Sequence, residues 1–309
     1  MTIIYDIAKR VGCVPSTVSK YITKHGYVSQ ALGEKIAAAM RDLDYHYNGI
    51  ARILSTNSSN RIGVMVPFLD HPYFQGLVNA ITMAATTDQE VTILPTAYSP
   101  VKERRCLDEL EHRLIDSLII TSHTLPYQEI TPYRKKHPIV FCETIPDPTV
   151  RSVHIDRQAA LTELFQTLRH RHLDRIGCLF IRPAKESVTT TETLATYQQV
   201  FGHPLSPDLV RYHCRSFADS QRLTTELLAT PPNLQVILTE SDISAAGARQ
   251  VAGPKVVVIG QGNQLLSQLL AFPSIDQHLD TIGQQAVSLT QPDQPTSIEK
   301  IKFDIIWRK

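Results

Sequence analysis

Short hydroxyl-bearing and basic side chains lie close together near the start of this 309-residue chain. They are Ser16, Thr17, Ser19 and Lys20, and the compact Pro15 directly precedes them. Side chains this short can bring a helix backbone close to base edges and phosphates. The spacing therefore predicts a DNA-contacting surface. The alternative is an ordinary helical hairpin whose polar face is only solvated.

Two short helices must position these side chains. Apolar residues recur at helical spacing on both sides of Gly12, which breaks the pattern, and Pro15 suits the first turn of a new helix. The first apolar stripe consists of Ile4, Ile7, Ala8 and Val11, and the second of Val14, Val18 and Ile22. The segment is therefore predicted to fold as a helix, a tight turn and a second helix.

A third helix is predicted after Ser29, which can cap its first turn. Its inward side chains are Ile36, Met40 and Leu43, so that three helices close one small core. Residues 48–55 then form a short, weakly helical stretch, and a polar run over residues 56–60 follows. An isolated helix of this length should not be stable in water.

The charge distribution agrees with a nucleic-acid contact. The net charge is only +1, but residues 1–61 hold eight Lys and Arg against four Asp and Glu, and the remainder holds 23 against 26. Phosphate neutralisation supplies much of DNA affinity and makes it fall with salt. The positive charge thus lies where the predicted DNA-contacting helices are.

Composition limits the remaining function classes. A chain of this length with 42% hydrophobic residues can bury a large core in more than one domain. The five cysteines are scattered, which favours reduced thiols over disulfides or a zinc site. No apolar run is long enough to cross a membrane and no leader is recognisable, so we expect a cytoplasmic protein with no membrane partner.

From residue 61 short apolar runs alternate with helix-length segments, which predicts parallel sheets. The runs are 62–66, 91–94, 117–120, 138–142, 153–155, 175–181, 209–212, 236–238 and 256–259. Their repetition predicts two doubly wound lobes with a cleft between them. Ligands of such sheets bind outside the carboxyl ends of the strands.

The chain resembles the LacI/GalR family of bacterial repressors. The resemblance is carried by residues 4–23, 28–45 and 48–67 and by core segments 69–74, 92–96, 116–122 and 259–263. It implies an all-α helix-turn-helix headpiece (1–47), a hinge helix and linker (48–60) and an α/β periplasmic-binding-protein-like core of two doubly wound parallel-sheet lobes (61–309). We expect lobe 1 to span about 61–156 and 275–296, and lobe 2 about 157–274 and 297–309, with Ile301–Ile306 as the last strand of lobe 2.

The resemblance also implies partners and a mechanism. We expect a homodimer that binds double-stranded DNA at a pseudo-palindromic operator and represses carbohydrate or carbon-catabolite genes. Further DNA-contacting residues are expected to be Tyr5, Tyr27, Ala51 and Leu54, with Leu54 wedged into the minor groove. A phosphorylated carrier protein is a further candidate partner, as a corepressor.

Residues just beyond the strand ends are the candidates for binding a small-molecule effector. They are Phe68, Asp70, His71, Tyr73, Ser122 and Glu143 in lobe 1 and Asp156, Arg182, Thr193, Asp242 and Gln261 in lobe 2. Aromatic faces mixed with carboxylate and amide groups suit a sugar. The aromatic residues could equally belong to the core or to a dimer interface.

Departures from the family pattern leave the effector class open. Thr193 stands where sugar-binding members usually carry arginine, Arg157 where they carry asparagine, and Gln261 where they carry aspartate. A sugar phosphate or another acidic metabolite, bound by Arg157 or Arg182, is one alternative to a neutral sugar, and loss of control by a small molecule is another. In the headpiece, Ile3 and Val14 replace usual helix caps, and Pro15 and Ser16 replace the pair that sets base preference.

Other function classes receive less support. The sequence has no G-x-S-x-G, P-loop or H-E-x-x-H motif, so we expect neither an enzyme nor a cofactor or metal. Gly260 and Gly262 begin a dinucleotide-like pattern that Leu265 interrupts, and residues 169–172 read as a solvated helix end. The remaining alternative is a cytoplasmic solute-binding or sensor protein of the same core fold that a partner protein regulates.

Overall fold

A computed structural model describes residues 4–23, 26–45, 58–229 and 233–308. The chain divides into two compact units, Met1–Ser59 and Asn60–Lys309. Ala51 and Leu54 and most of the predicted hinge lie outside the described residues. Each unit is considered by itself below.

The first unit contains three helices, as predicted. They are α1 (Ile4–Val11), α2 (Pro15–Thr23) and α3 (Gln30–Asp42). Gly12, at a φ of +76°, ends α1, where left-handed backbone favours glycine. The buried core consists of Ile7, Ala8, Val18, Ile36 and Ala39. Most of the predicted apolar stripes therefore face this core.

Two details of the headpiece differ from the predictions. Val14 is 60% exposed rather than part of the inward stripe. It precedes α2, and its carbonyl accepts a hydrogen bond from the N–H of Thr17, so its side chain is not on the buried face of the helix. Ser29 does hold the N-cap position of α3, but its side chain accepts no hydrogen bond from the helix.

The first lobe of the second unit is built on a six-stranded parallel sheet in the order β11-β5-β4-β3-β1-β2. Its strands are β1 (Arg61–Val66), β2 (Glu90–Pro95), β3 (Ser117–Ile120), β4 (Ile139–Phe141), β5 (Arg151–Ile155) and β11 (Ile298–Ile301). Ile62 pairs with Val91 on one side and with Ser117 on the other. The helices are α4 (Pro72–Ala84), α5 (Pro100–Glu111), α6 (Tyr127–Arg134) and α12 (Leu279–Leu289).

Both faces of this sheet are covered. Val64 packs in a cluster with Leu77 of α4 and Ile282 of α12. Met65, which points to the opposite face, packs in another cluster with Leu110 of α5. Because successive strand residues alternate between faces, both must be apolar, and this explains the continuous apolar runs in the sequence.

The second lobe has a six-stranded sheet in the order β12-β10-β9-β8-β6-β7, in which β12 runs antiparallel to β10. Its strands are β6 (Ile176–Leu179), β7 (Val210–Arg211), β8 (Val236–Thr239), β9 (Val257–Gln261), β10 (Ser274–Asp276) and β12 (Asp304–Ile306). The flanking helices are α7 (Arg157–His170), α8 (Val188–Phe201), α9 (Phe217–Ala229), α10 (Asp242–Ala252) and the short α11 (Leu265–Leu269). The predicted pair of doubly wound lobes is confirmed.

The chain passes between the lobes three times, but two of the passages lie later than predicted. The first follows β5 at Asp156, as expected, whereas the second follows β10 instead of preceding residue 275. The predicted strand over 301–306 is wrong, because Ile301 ends β11 in the first sheet and only Asp304–Ile306 belong to the second. The sequence pattern did not predict β11 because Glu299 and Lys300 interrupt its apolar run. Both side chains are exposed, which an edge strand tolerates.

Among the described residues, no helix combines the length and apolar character required to span a bilayer. The same ranges contain no cluster of three or more His, Cys, Asp or Glu side chains suited to a metal ion.

Candidate functional site

The predicted DNA-contacting residues of the first unit are largely accessible to a partner. On α2, Ser16 and Lys20 are exposed, whereas Pro15, Thr17 and Ser19 are half-buried beside the fully buried Val18. Val18 thus fixes one face of α2 in the core and leaves the opposite face to solvent. Such an arrangement can bring short polar side chains to a nucleic-acid groove.

Two tyrosines of the predicted DNA-contacting set are also exposed. Tyr5 is 69% exposed and Tyr27 is 90% exposed, which is unusual for large side chains with an apolar ring. A Cβ on Gly26 would lie 3.2 Å from Cδ of Lys20, so the turn before Tyr27 packs against the lysine stem. Lys20 and Tyr27 therefore belong to one surface patch.

A cavity lies between the two lobes of the second unit, at the carboxyl ends of the strands. Its polar lining includes His71, Tyr98, Ser122, Glu143, His154, Arg157, Arg182, Glu192, Glu240 and Gln277, and Tyr73 and Phe74 add aromatic surface. The walls come from both lobes, as expected for two doubly wound sheets.

Five of the predicted effector residues line this cavity: His71, Tyr73, Ser122, Glu143 and Arg182. Glu143 lies 2.5 Å from Nδ1 of His123. Burial disfavours the charged form of His123, but the carboxylate of Glu143 outweighs burial and raises the pKa of the ring. The hydroxyls of Ser122 and Tyr98 lie 3.3 Å apart.

Two predicted residues of lobe 1 lie outside the cavity lining. Phe68 packs edge-on against Tyr98, with ring centroids 5.4 Å apart. Asp70 is exposed and lies 3.6 Å from the guanidinium of Arg215. Both residues follow β1, but the chain turns there, so that His71, Tyr73 and Phe74 reach the cavity whereas Phe68 and Asp70 do not.

Four predicted residues of lobe 2 are structural rather than cavity-lining. Asp156 caps α7 by accepting a hydrogen bond from Ala159 N–H, and the hydroxyl of Thr193 donates to the carbonyl of Thr189. Asp242 is fully buried and accepts from Ser274 Oγ. Gln261 is buried and accepts a 2.9 Å hydrogen bond from Arg157, so it positions a lining residue without lining the cavity itself.

The structure adds ten polar lining residues that were not in the predicted effector set. They are Tyr98, Thr121, Thr144, His154, Arg157, Ser187, Thr189, Glu192, Glu240 and Gln277. Glu240 directly follows β8, so the expectation that ligands bind beyond the carboxyl ends of strands could have identified it. Arg157 was identified as a departure from the family pattern and as a possible contact for an acidic effector. Gln277 follows β10, a three-residue strand that the sequence pattern does not predict.

Two side chains in the cavity wall carry buried polar atoms without a hydrogen-bond partner among the described residues. Neither ring nitrogen of His71 has a partner within residues 58–229 and 233–308, and Oε1 of Gln277 likewise has none there. Burial lowers the pKa of His71 to about 4, so the ring is neutral near pH 7. Since buried polar groups are nearly always hydrogen-bonded, these two side chains are suited to a polar ligand.

The charged groups of the cavity largely balance one another. Arg157 lies 3.9 Å from the carboxylate of Glu192 as well as donating to Gln261. Arg182 stacks on Tyr98, with its guanidinium carbon 4.0 Å from the ring centroid. Glu240 accepts a 2.6 Å hydrogen bond from Ile181 N–H, and burial raises the pKa of this carboxyl.

Comparison with known proteins identifies both units. Residues 3–48 match the family described as bacterial regulatory proteins, lacI family. Residues 59–298 match the periplasmic binding proteins and sugar binding domain of LacI family.

Individual relatives agree along the length of the chain. It is 33% identical to catabolite control protein B of Bacillus subtilis, over 97% of each chain. It is 30% identical to the ribose operon repressor of Halalkalibacterium halodurans, over 82% of this chain and 75% of the relative. In fold it is similar to the lac repressor dimer bound to operator, with a TM-score of 0.80 at 22% identity, over 100% of this chain and 98% of the repressor. The chain therefore belongs to the LacI family of DNA-binding bacterial regulatory proteins.

Proposed function

We propose that this protein is a dimeric, cytoplasmic repressor of carbon-source genes whose operator affinity is set by a neutral polyhydroxylated effector. The observation that carries the effector claim is a set of buried polar atoms in the wall of the interlobe cavity that lack hydrogen-bond partners among the described residues, namely both ring nitrogens of His71 and Oε1 of Gln277. A ligand rich in hydroxyl groups can donate to and accept from both. In this proposal the protein is a regulator rather than an enzyme.

The proposed DNA contact uses the exposed face of α2. Ser16 and Thr17 read base edges in the major groove, and Lys20 neutralises a phosphate. Tyr5 and Tyr27 contact the flanking backbone. Ala51 and Leu54 keep their predicted roles in the hinge, where Leu54 enters the minor groove and bends the operator.

A homodimer is supported by apolar side chains that the single chain leaves exposed. Leu265 and Leu269 of α11 are 65% and 71% exposed, and Met83 of α4 is 78% exposed. Leu265 and Leu269 are one turn apart on the same helix, and neighbouring exposed apolar side chains mark contact sites for other chains. Two copies would bring two headpieces to the half-sites of a pseudo-palindromic operator.

The charge balance of the cavity favours a sugar over a sugar phosphate. Glu143, Glu192 and Glu240 line it together with Arg157 and Arg182, and both arginines already have partners within the protein. A phosphate would approach three carboxylates, whereas Arg157 already donates to Gln261 and lies beside Glu192, which leaves the N–H groups of Arg182 to receive it. A neutral ligand with several hydroxyls avoids that repulsion.

The first test selects operator DNA from genomic fragments with the full-length protein. The selected complex is then titrated with matched pairs of sugars and sugar phosphates, such as ribose and ribose 5-phosphate or glucose and glucose 6-phosphate. We expect a neutral sugar to change operator affinity and its phosphate ester to have a weaker effect. Failure to select any DNA, or a response to phosphate esters alone, would overturn the corresponding part of the proposal.

Variants locate the response. His71→Phe and Gln277→Leu should each weaken the effect of the active sugar about tenfold, the loss expected when a hydrogen-bonded hydroxyl faces an apolar group. Thr193→Val is the matched control, because the hydroxyl of Thr193 is buried and bonds within α8. An equal loss in Thr193→Val would show that the response does not depend on the cavity wall.

A further inference from the structure

Two arginines of lobe 2 cover two aromatic rings of lobe 1. The guanidinium carbon of Arg182 lies 4.0 Å from the ring centroid of Tyr98, and that of Arg215 lies 3.5 Å from the ring centroid of Phe68. The two rings pack edge to face, with centroids 5.4 Å apart. Each arginine thus forms a cation–π contact with one member of a single aromatic pair. We call these four residues the interlobe clasp.

One half of the interlobe clasp lies outside the cavity. Arg182 and Tyr98 line the cavity, whereas Arg215 and Phe68 do not. Arg215 also lies 3.6 Å from a carboxylate oxygen of Asp70, which is again a contact between the lobes. Arg215 can therefore influence the distance between the lobes without touching a molecule bound between them.

We propose that Arg215 is a positioning residue that stabilises the closed arrangement of the two lobes. It thereby sets the effector affinity of the cavity from outside. The inference rests on the proposed role of the cavity as the effector site. A ligand that contacts both lobes binds the closed arrangement better, so its apparent affinity falls with the closed fraction.

The contacts of Arg215 differ in strength. The ring contact uses the flat guanidinium, which packs on an aromatic face better than an ammonium does. The contact with Asp70 joins side chains that are 47% and 80% exposed, and solvent weakens such a pair. Most of the stabilisation is therefore expected to come from Phe68 and not from Asp70.

Hydrogen exchange of the full-length, ligand-free protein tests the proposal. The reporters are the amides of residues 96–99 in lobe 1 and 181–189 in lobe 2, which belong to or border the cavity and do not adjoin Arg215 in sequence. Arg215→Ala should speed exchange in both reporters about three- to tenfold, because the closed arrangement is less populated. Arg215→Lys should give a similar change, and Asp70→Asn a change below about twofold.

The control is Arg222→Ala. Arg222 is another exposed arginine of lobe 2, but its ion pairs with Asp219 and Glu226 lie within α9, so both reporters should exchange as in the wild type. If Arg215→Ala changes exchange only near residues 68–71 and 213–217, its role is local and the proposal is wrong. If Arg215→Ala folds poorly, the test uses Arg215→Lys instead. Wild-type exchange rates of both reporters in that variant would contradict the proposed role of the contact between Arg215 and Phe68.

The outcome is separable from the proposed function. The same preparations are assayed for binding to selected DNA. If the wild type binds no DNA, the repressor proposal is contradicted. The exchange result would still show whether Arg215 stabilises the closed arrangement of the lobes.

Discussion

The headpiece and the interlobe cavity are built in opposite ways. In the headpiece five buried side chains hold three short helices, and the DNA-contacting candidates are near neighbours along the sequence. The cavity is lined by residues from His71 to Gln277, which two large sheets bring together. One site therefore depends on a small local core and the other on long-range assembly. The two units should respond differently to the same kind of perturbation.

The largest effect is expected where helices of the second unit approach most closely. A Cβ at Gly283 would lie 2.5 Å from Cβ of Ala80 and 2.7 Å from its carbonyl carbon, so that the backbone of α4 must move. Gly283→Ala should lower the free energy of unfolding by about 3 kcal/mol or more. Urea unfolding followed by the fluorescence of Trp307, the only tryptophan, measures this loss.

The control for Gly283→Ala is Gly76→Ala on the facing helix. A Cβ at Gly76 would meet only Cδ1 of Leu279, at 2.8 Å, and a leucine side chain can rotate away. We expect a loss below about 1 kcal/mol. Similar losses in both variants would show that backbone contact is not the cause.

The second prediction compares the same substitution in both units. Val18 in the headpiece and Val64 in lobe 1 are both fully buried, and valine to alanine should cost about 2 kcal/mol at each site. A core as small as that of the headpiece supplies only a small free energy of unfolding. Val18→Ala should therefore weaken operator binding about tenfold, and Val64→Ala by less than about twofold. Gel-shift titration measures both, and equal losses would remove the distinction between the two units.

The third prediction concerns pH and the cavity wall. Burial lowers the pKa of His71 from 6.5 to about 4, so the folded state resists protonation of the ring. The resulting stability is fully present above pH 6.5 and is lost as pH falls through about 4, an effect of roughly 3 kcal/mol. Urea unfolding at pH 7 and at pH 4 should show a smaller difference in His71→Phe than in the wild type. An unchanged difference would mean that His71 is solvated in the folded protein.

The smallest effect is expected on the headpiece surface. Lys20→Ala should weaken operator binding about fivefold and flatten the slope of log affinity against log salt by roughly one unit. Lys35→Ala removes the same charge from an exposed position on α3, which lies outside the proposed DNA-contacting set. We expect its salt slope to match that of the wild type. A wild-type slope in Lys20→Ala would remove Lys20 from the phosphate contacts.

The sequence predicted the headpiece well because its elements follow from local patterns. Helical spacing placed Ile7, Val18 and Ile36 in one core, and the structure buries all three. Val14 was misassigned because an apolar residue directly before a helix resembles the first member of its stripe. The predicted capping hydrogen bond of Ser29 is absent because the N-cap position alone does not fix where the hydroxyl points.

The cavity was predicted only in part because strand ends indicate an edge of a sheet and not the direction of each side chain. Thr193 shows the difficulty, since it is buried and bonds within α8 while its neighbour Glu192 lines the cavity. Asp242 lies close to the end of β8, yet its carboxylate joins Ser274 inside lobe 2. A hydrogen bond within α8 thus fixes Thr193, and a hydrogen bond to a distant segment fixes Asp242.

The order of the last strands has a consequence for how the protein is made. The two sheets are completed by β11 and β12, and only residues 302 and 303 separate these strands. During translation, therefore, lobe 1 lacks a strand until residue 301 has been added, and lobe 2 lacks one until residue 306. The three headpiece helices, by contrast, are encoded within the first 45 residues. A nascent chain can thus present a folded headpiece long before it has lobes able to respond to an effector.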